Sequence, residues 1–188
     1  SMSGTYEDIN VPPTLVSFAV TTVKTEDVLS PEFKESGDYI YLLPVKEEVT
    51  GRIPYDEIKR NFALFQEINA KYHINAAISV RQGGVAESLA AMSFGNRLGA
   101  NVENISVHDL FRPQYGAFVI TTRQALPASE EYIALGTTLS EYRFDYGQTT
   151  ILGSTLQAAS EDRFEGIYPI YQKSEGFVDK VQKADLKA

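Results

Sequence analysis

The chain has 188 residues, of which 43% are hydrophobic and 22% are charged, an ordinary globular composition. A chain of this length can bury roughly 70% of its unfolded surface as one domain. Seventeen basic and twenty-five acidic residues give a net charge of −8, which disfavours binding to nucleic acid or to an anionic membrane. The chain has no cysteine, which excludes disulfides and thiolate metal sites, and two isolated histidines, His73 and His108, disfavour a histidine-based metal centre.

The sequence contains neither an apolar run of about 18 residues nor a signal-peptide pattern, so we expect a cytosolic location. Residues 1–5 carry no fold signal of their own. Residues 14–23 are rich in β-branched and aromatic side chains that alternate along the chain, and Pro12-Pro13 precede them. This pattern predicts the first strand.

A second strand is predicted from 38 to 43, ended by Pro44, and residues 45–53 lead from it to a helix. Pro54 suits the first turn of that helix. Its apolar residues recur three and four apart and are interpreted as core: Ile58, Phe62, Phe65, Ile68 and Tyr72. We interpret His73, at the end of the helix, as a helix-terminal cation or a solvent-facing residue.

Residues 76–99 predict a buried strand, a tight turn at Gly83-Gly84 and a helix. Backbone N–H groups at a helix start lack intrahelical partners and the helix dipole is positive there, so an anion can bind. Glycines at this place can equally serve a tight turn and close packing of helix on strand. Arg81 either binds a phosphate through two parallel hydrogen bonds or pairs with a carboxylate of the chain. The candidate anion or nucleotide site is therefore Arg81, Gln82, Gly83 and Gly84.

The second half predicts a short strand at 100–105, Ser106 as the N-cap of a helical turn at 107–111, and further strands at 116–122 and 132–138. A hairpin is predicted between 142 and 152. A capping box at 154–157 predicts a last helix, with an apolar stripe of Leu156, Ala159, Phe164 and Ile167, ended by Gly166 and Pro169. His108 is interpreted as an exposed residue beside Asp109. These elements predict a mixed-sheet α/β or α+β domain.

The residues alone contain no complete active site. A nucleophilic site needs a nucleophile, a base and an orienting group, and no such triad signature is present. Gly83-Gly84 also lacks the context of a Walker or dinucleotide-binding motif. We therefore assign no catalytic and no metal-binding residue.

The stretch at 76–99 resembles the C-terminal-domain signature of the aminoimidazole ribonucleotide synthetase superfamily. There a strand ends in His-Asp-x-Ser-Asp-Gly-Gly, and a helix rich in Leu, Ala and Met follows and closes with Phe-Gly and a Gly. The matching residues are Gly83, Gly84, Glu87, Leu89, Ala90, Met92, Phe94, Gly95, Leu98 and Gly99. The polar half differs, because Ile78, Ser79, Arg81 and Gln82 stand where the family has His, Asp, Ser and Asp. The family's Gly-Gly-Ser insertion after the second strand is also absent.

The start of the chain resembles a junction in the formylglycinamide ribonucleotide amidotransferases, the large single-chain phosphoribosylformylglycinamidine synthases. In that family the second nucleotide-binding half ends in Gly-Lys-Asp-Ser-Met-Ser and passes into a Pro-Pro-Thr segment, as Ser1-Met2-Ser3 and residues 12–20 do here. The resemblance implies that residues 1–13 are a junction from a preceding nucleotide-binding domain, that 14–171 are the C-terminal domain of the second synthetase half, and that 172–188 are a linker toward a glutaminase domain. It also implies a mixed β-sheet with helices packed on its faces, in partly ferredoxin-like order.

The parent family implies an ATP-dependent ligase that makes formylglycinamidine ribonucleotide from formylglycinamide ribonucleotide, glutamine and ATP. ATP or ADP and Mg²⁺ are implied for the parent enzyme, and none is assigned to this chain alone. The resemblance implies a scaffold or an auxiliary nucleotide site rather than the catalytic centre, so we expect the isolated chain to be inactive. Two alternatives stay open: a non-catalytic interaction domain that couples synthetase and glutaminase parts, and a superfamily kinase or maturation factor acting on selenide or thiamine phosphate.

Overall fold

The computed structural model describes residues 2–46, 55–164 and 166–167. A two-stranded antiparallel sheet of β1 (Met2–Tyr6) and β2 (Ile9–Thr14) opens the chain. The other elements follow in this order: β3 (Tyr39–Leu43), α1 (Tyr55–Tyr72), β4 (Ile74–Ser79), α2 (Gly84–Phe94), β5 (Gly99–Val102), α3 (Val107–Phe111), β6 (Phe118–Thr122), β7 (Ile133–Leu139), β8 (Arg143–Tyr146), β9 (Thr149–Leu152) and α4 (Gly153–Glu161). Short 3-10 turns lie at Thr25–Asp27 and Asp162–Phe164.

Strands β3 to β9 form one seven-stranded sheet in the order β4-β6-β3-β7-β5-β8-β9. Neighbouring strands are antiparallel except β5 and β8, which are parallel. A mixed sheet of this kind, with helices packed against it, is the fold class that the sequence predicts. That prediction is confirmed.

Strand β3 is an interior strand of the sheet, paired with β6 and β7. It lies between two apolar clusters, because successive side chains of a strand point to opposite faces. Ile40 and Leu42 belong to the cluster that contains the buried side of α2. Tyr41 and Leu43 belong to the cluster that contains Ile68 of α1. The two helices therefore cover opposite faces of the sheet.

Helix α1 largely presents the predicted apolar stripe to the core. Ile68 is buried, and the other stripe residues are half-buried except one. Phe62 is 51% exposed and contacts the ring of Phe118 edge-on at a centroid distance of 5.0 Å, so its assignment to the core is wrong. His73 follows the helix with φ of 57° and is exposed, which confirms its interpretation as solvent-facing. Pro54 and residues 47–53 lie outside the described residues.

The strand predicted at 14–23 is wrong. Strand β2 ends at Thr14, and residues 15–24 form no strand or helix and have exposed side chains. A period-two pattern becomes a stable strand only where a neighbouring backbone pairs with it, and no described strand pairs with residues 15–24. Pro12 and Pro13 lie inside β2 at a register irregularity, where an N–H is not needed for pairing.

The elements from β5 to β9 lie where the sequence predicts them, within a few residues at each end. Ser106 caps α3 as predicted, because its Oγ accepts a hydrogen bond from the backbone N of Asp109 at 3.1 Å. The β8–β9 hairpin turns at Gly147, whose φ of 57° suits glycine. His108 is exposed with Nδ1 3.4 Å from Asp109 Oδ1, as interpreted from the sequence.

Helix α4 differs from its prediction at both ends. Gly153 already begins the helix and Leu152 precedes it without a side-chain cap, so the capping box predicted at 154–157 is wrong. The helix ends at Glu161, so Ile167, which is 86% exposed, does not continue its apolar stripe. Pro169 and the linker predicted at 172–188 lie outside the described residues. The division at 13 and 171 stays a prediction.

Candidate functional site

Of the four candidate residues, Arg81, Gln82 and Gly83 lie in the loop between β4 and α2, and Gly84 is the first residue of α2. The backbone N of Gly84 donates a hydrogen bond to the Arg81 carbonyl at 3.2 Å, which closes the predicted tight turn. Arg81 and Gln82 are exposed, Gly83 is half-buried and Gly84 is buried. The fold therefore gathers all four residues at the first turn of α2.

Gly84 occupies a position that only glycine fits. Its φ is +72°, and a Cβ there would lie 2.7 Å from the carbonyl oxygen of Leu110 and 2.8 Å from that of Arg112. These carbonyls belong to the end of α3 and the residue after it. The second glycine of the pair thus allows helix α3 to pack closely against the start of α2.

The start of α2 already has an anionic partner from its own helix. Oε2 of Glu87 accepts a hydrogen bond from the backbone N of Gly83 at 2.7 Å. A carboxylate at this end is favourable because it satisfies an unpaired N–H and faces the positive end of the helix dipole. An added anion would compete with Glu87 for the Gly83 N–H.

Sequence reasoning missed this capping role of Glu87. The available signal was a Glu four residues after Gly83, one residue farther than in the usual capping box. A longer spacing still allows a Glu side chain to reach back to the helix start.

The guanidinium of Arg81 makes no hydrogen bond and no ion pair with any residue that the structure describes. The sequence left two interpretations of Arg81 open. The one in which Arg81 pairs with a carboxylate of the chain finds no such carboxylate in residues 2–46, 55–164 and 166–167. The side chain is free to meet an anion from solution.

An apolar cavity of about 340 Å³ lies beside the loop, between α2, α3, the β8–β9 hairpin and α4. Its aromatic wall comes from Phe111, Phe144 and Tyr146, and Gly83 and Glu87 line the side nearest the loop. The other lining residues are Ala86, Leu89, Ala90, Val102, Leu110, Asp145, Thr149, Ile151 and Leu156. A concave apolar surface of this kind is typical of a ligand or packing site.

Asp145 is an acidic residue of the cavity wall that is fully engaged within the chain. Thr150 donates a hydrogen bond to its Oδ1 at 2.7 Å, and Arg143 Nε donates to its Oδ2 at 2.9 Å. The hydrogen bond from Thr150 and then that from Arg143 hold the pKa of Asp145 below its ordinary value. The cavity therefore offers a ligand mainly apolar contacts.

The described residues include no group of three or more His, Cys, Asp or Glu side chains placed to hold a metal ion. We therefore assign no magnesium ligand among these described residues. In the part of the chain that the structure describes, no helix combines the length and apolar character needed to cross a membrane.

No protein-family model matches the chain. Phosphoribosylformylglycinamidine synthase II from Thermotoga maritima matches it with a TM-score of 0.55 at 12% identity, over 87% of this chain and 32% of that chain. T. maritima PurL in complex with ATP matches with a TM-score of 0.54 at 13% identity, over 71% of this chain and 28% of that chain. The chain has the PurL-type fold. The resemblance to the aminoimidazole ribonucleotide synthetase superfamily is confirmed at the level of fold.

The PurL-type fold is not confined to one activity. Hydrogenase maturation protein HypE matches this chain with a TM-score of 0.51 at 11% identity, over 69% of this chain and 56% of that chain. Fold alone does not determine chemistry, because function resides in the particular residues of a site. The chain also spans only 28% and 32% of the two synthase chains.

Proposed function

We propose that this chain is a domain of an ATP-dependent formylglycinamide ribonucleotide amidotransferase of de novo purine biosynthesis. Its role there is a scaffold or an auxiliary nucleotide site rather than the catalytic centre. The observation that carries the proposal is the PurL-type fold, found in structures that bind ATP, AMPPCP and ADP. The Ser1-Met2-Ser3 start and the Pro-Pro-Thr segment add support from the sequence.

In this proposal the partners of the chain are the preceding synthetase domains and a following glutaminase domain of the same cytosolic polypeptide. The parent enzyme binds ATP or ADP with Mg²⁺, and glutamine supplies the ammonia. The described residues contain no catalytic set of their own, so the isolated chain is expected to have no ligase activity.

Arg81 and Gln82 are the proposed phosphate contacts of an auxiliary nucleotide. A guanidinium can pair with two phosphate oxygens in parallel, and the exposed amide of Gln82 can donate a further hydrogen bond. The helix start at Gly83 and Gly84 adds a favourable dipole. Its Gly83 N–H becomes available to a phosphate only when the Glu87 carboxylate turns away.

Titration of the intact polypeptide with ADP and Mg²⁺ by calorimetry tests this site. Arg81→Ala is expected to weaken ADP binding by about tenfold to a hundredfold, because it removes a charge-assisted hydrogen-bonding group. Glu87→Gln is expected to strengthen binding severalfold, since it removes the competing negative charge and keeps a hydrogen-bond acceptor. Arg97→Ala, at the other end of α2, is the matched control and should change nothing. Unchanged affinity in Arg81→Ala would reject the nucleotide site.

The second candidate function is a non-catalytic interaction domain that couples the synthetase and glutaminase parts. The hydrogen bond of Glu87 to Gly83 favours it, because a helix start that is already capped needs no ligand. Deletion of the domain from the parent enzyme distinguishes the two functions when free ammonia is supplied. Persistence of ammonia-dependent synthesis with loss of glutamine-dependent synthesis would favour coupling.

A further inference from the structure

Residues 15–24, named here the N-terminal arm, expose an unusual amount of apolar side chain. Val16 is 71% exposed, Phe18 is 85% exposed and Val20 is 90% exposed. The arm follows β2 directly and belongs to no strand or helix. Contiguous apolar exposure of this kind marks an interaction surface, whereas single exposed apolar residues do not.

The arm has the sequence of a strand that lacks a neighbour. Three of its large apolar residues, Val16, Phe18 and Val20, lie two apart, so they share one face when the backbone is extended. Residues 9–23 contain no charged side chain, although the chain carries a net charge of −8. Natural edge strands are usually protected by charge against pairing, and this segment has none of that protection.

Residues 16–20 of the arm are symmetric about Phe18 in the size of their side chains. In an antiparallel pair centred there, Phe18 of one copy lies opposite Phe18 of the other, and Val16 lies opposite Val20. The small residues Ser17 and Ala19 oppose each other on the second face. A two-fold interface needs a self-complementary surface of this kind.

We propose that two copies of this chain pair antiparallel along residues 14–22, with the two-fold axis at Phe18. The facing N–H and C=O groups of the two backbones pair with each other, and six large apolar side chains contact one another on one face, which reduces their exposure to water. No like charges oppose each other in the pair, so the two acidic chains meet through their neutral segment. The pairing begins at Thr14, where β2 ends, and so prolongs an existing strand.

Sedimentation equilibrium of the 188-residue chain over the micromolar range tests the pairing. We expect a concentration-dependent equilibrium between the 20.9 kDa monomer and a dimer. Phe18→Asp is expected to raise the dimer dissociation constant by about a hundredfold, because two carboxylates then oppose each other on the axis in place of two aromatic rings. Tyr55→Asp is the matched control, since Tyr55 is an aromatic residue 72% exposed on α1, and it should leave dimerisation unchanged.

The register has its own test because the chain contains no cysteine. Phe18→Cys is expected to form a disulfide-linked dimer on mild oxidation, since directly opposite Cα atoms lie about 4.5–5.5 Å apart, within disulfide reach. Val16→Cys is expected not to, because its own counterpart lies four residues along the strand, about 13 Å away.

A chain that sediments as a monomer throughout would overturn the proposal. So would a dimer that Phe18→Asp leaves intact, or equal crosslinking of the two cysteine variants, since each result would place the contact elsewhere. The proposal does not depend on the proposed function, and neither its success nor its failure alters the nucleotide titration.

Discussion

Gly84 and Gly37 both have a positive φ, but only Gly84 has close neighbours around its missing Cβ. Alanine substitutions at the two positions therefore distinguish the free-energy cost of the backbone conformation from the cost of overpacking. Gly84 has φ of +72° and faces the carbonyls of Leu110 and Arg112, whereas Gly37 has φ of +85° and open space around its missing Cβ. Gly37→Ala is expected to destabilise the fold by about 1–2 kcal/mol, the cost of the left-handed conformation. Gly84→Ala adds an overpacking penalty and is expected to cost about 3–5 kcal/mol.

Urea denaturation of the two glycine variants gives both free energies of unfolding. If the two variants lose equal free energy of unfolding, the end of α3 moves to accommodate a methyl group at Gly84. The packing role of Gly84 would then be rejected.

Glu32 carries a pH-dependent contribution to stability. Hydrogen bonds from the Lys34 ammonium and then from the Ser30 hydroxyl lower the pKa of Glu32 to about 2, from an ordinary value of 4.5. Because the folded-state pKa is depressed, this contribution is present above pH 4.5 and is lost as the pH falls through about 2. Lys34→Gln should therefore raise the pKa of Glu32 toward its ordinary value.

Carboxyl-carbon chemical shifts of Glu32, followed by NMR as the pH is lowered, measure that pKa directly. Lys71→Gln, which changes a distant lysine on α1, should leave the pKa of Glu32 unchanged. A depressed pKa that survives in Lys34→Gln would assign the effect to the Ser30 hydroxyl and the backbone N–H of Glu32 instead.

At the scale of elements, two serines at helix starts differ in what they do. Ser106 caps α3 through its hydrogen bond from the Asp109 N–H, whereas Ser154 lies inside the first turn of α4 with no cap bond. Ser106→Ala is expected to destabilise the fold by about 1 kcal/mol, and Ser154→Ala to change its stability by less than about 0.5 kcal/mol. Thermal unfolding followed by circular dichroism compares them, and an equal loss in Ser154→Ala would restore the predicted capping box.

The sequence predicted the elements of the central sheet because their apolar periodicity matches two buried faces, as in β3. The same periodicity failed at residues 14–23, since a pattern specifies which face is apolar and does not supply the neighbouring strand. At the site, the loop and its glycine turn followed from the sequence. The contact of Gly84 with the end of α3 did not, because it joins residues far apart in the chain. The Glu87 cap was missed because its spacing departs from the usual motif.

At the scale of the whole molecule, this chain matches only a fraction of longer solved chains. The described residues form a mixed sheet covered by helices, with two apolar clusters and a cavity beside the candidate loop. The candidate loop and the cavity lie at the same end of α2, so a ligand or a partner that binds there would contact both.

The native mass is the decisive measurement at the scale of the whole molecule. The chain spans 28% and 32% of two synthase chains, so we expect an antibody raised against it to detect, in a lysate of the source cells, a polypeptide several times larger than 20.9 kDa. The recombinant 188-residue chain in the adjacent lane controls for mobility and antibody specificity. A native band near 20.9 kDa would contradict the proposed function, because that proposal makes this chain one domain of a longer polypeptide.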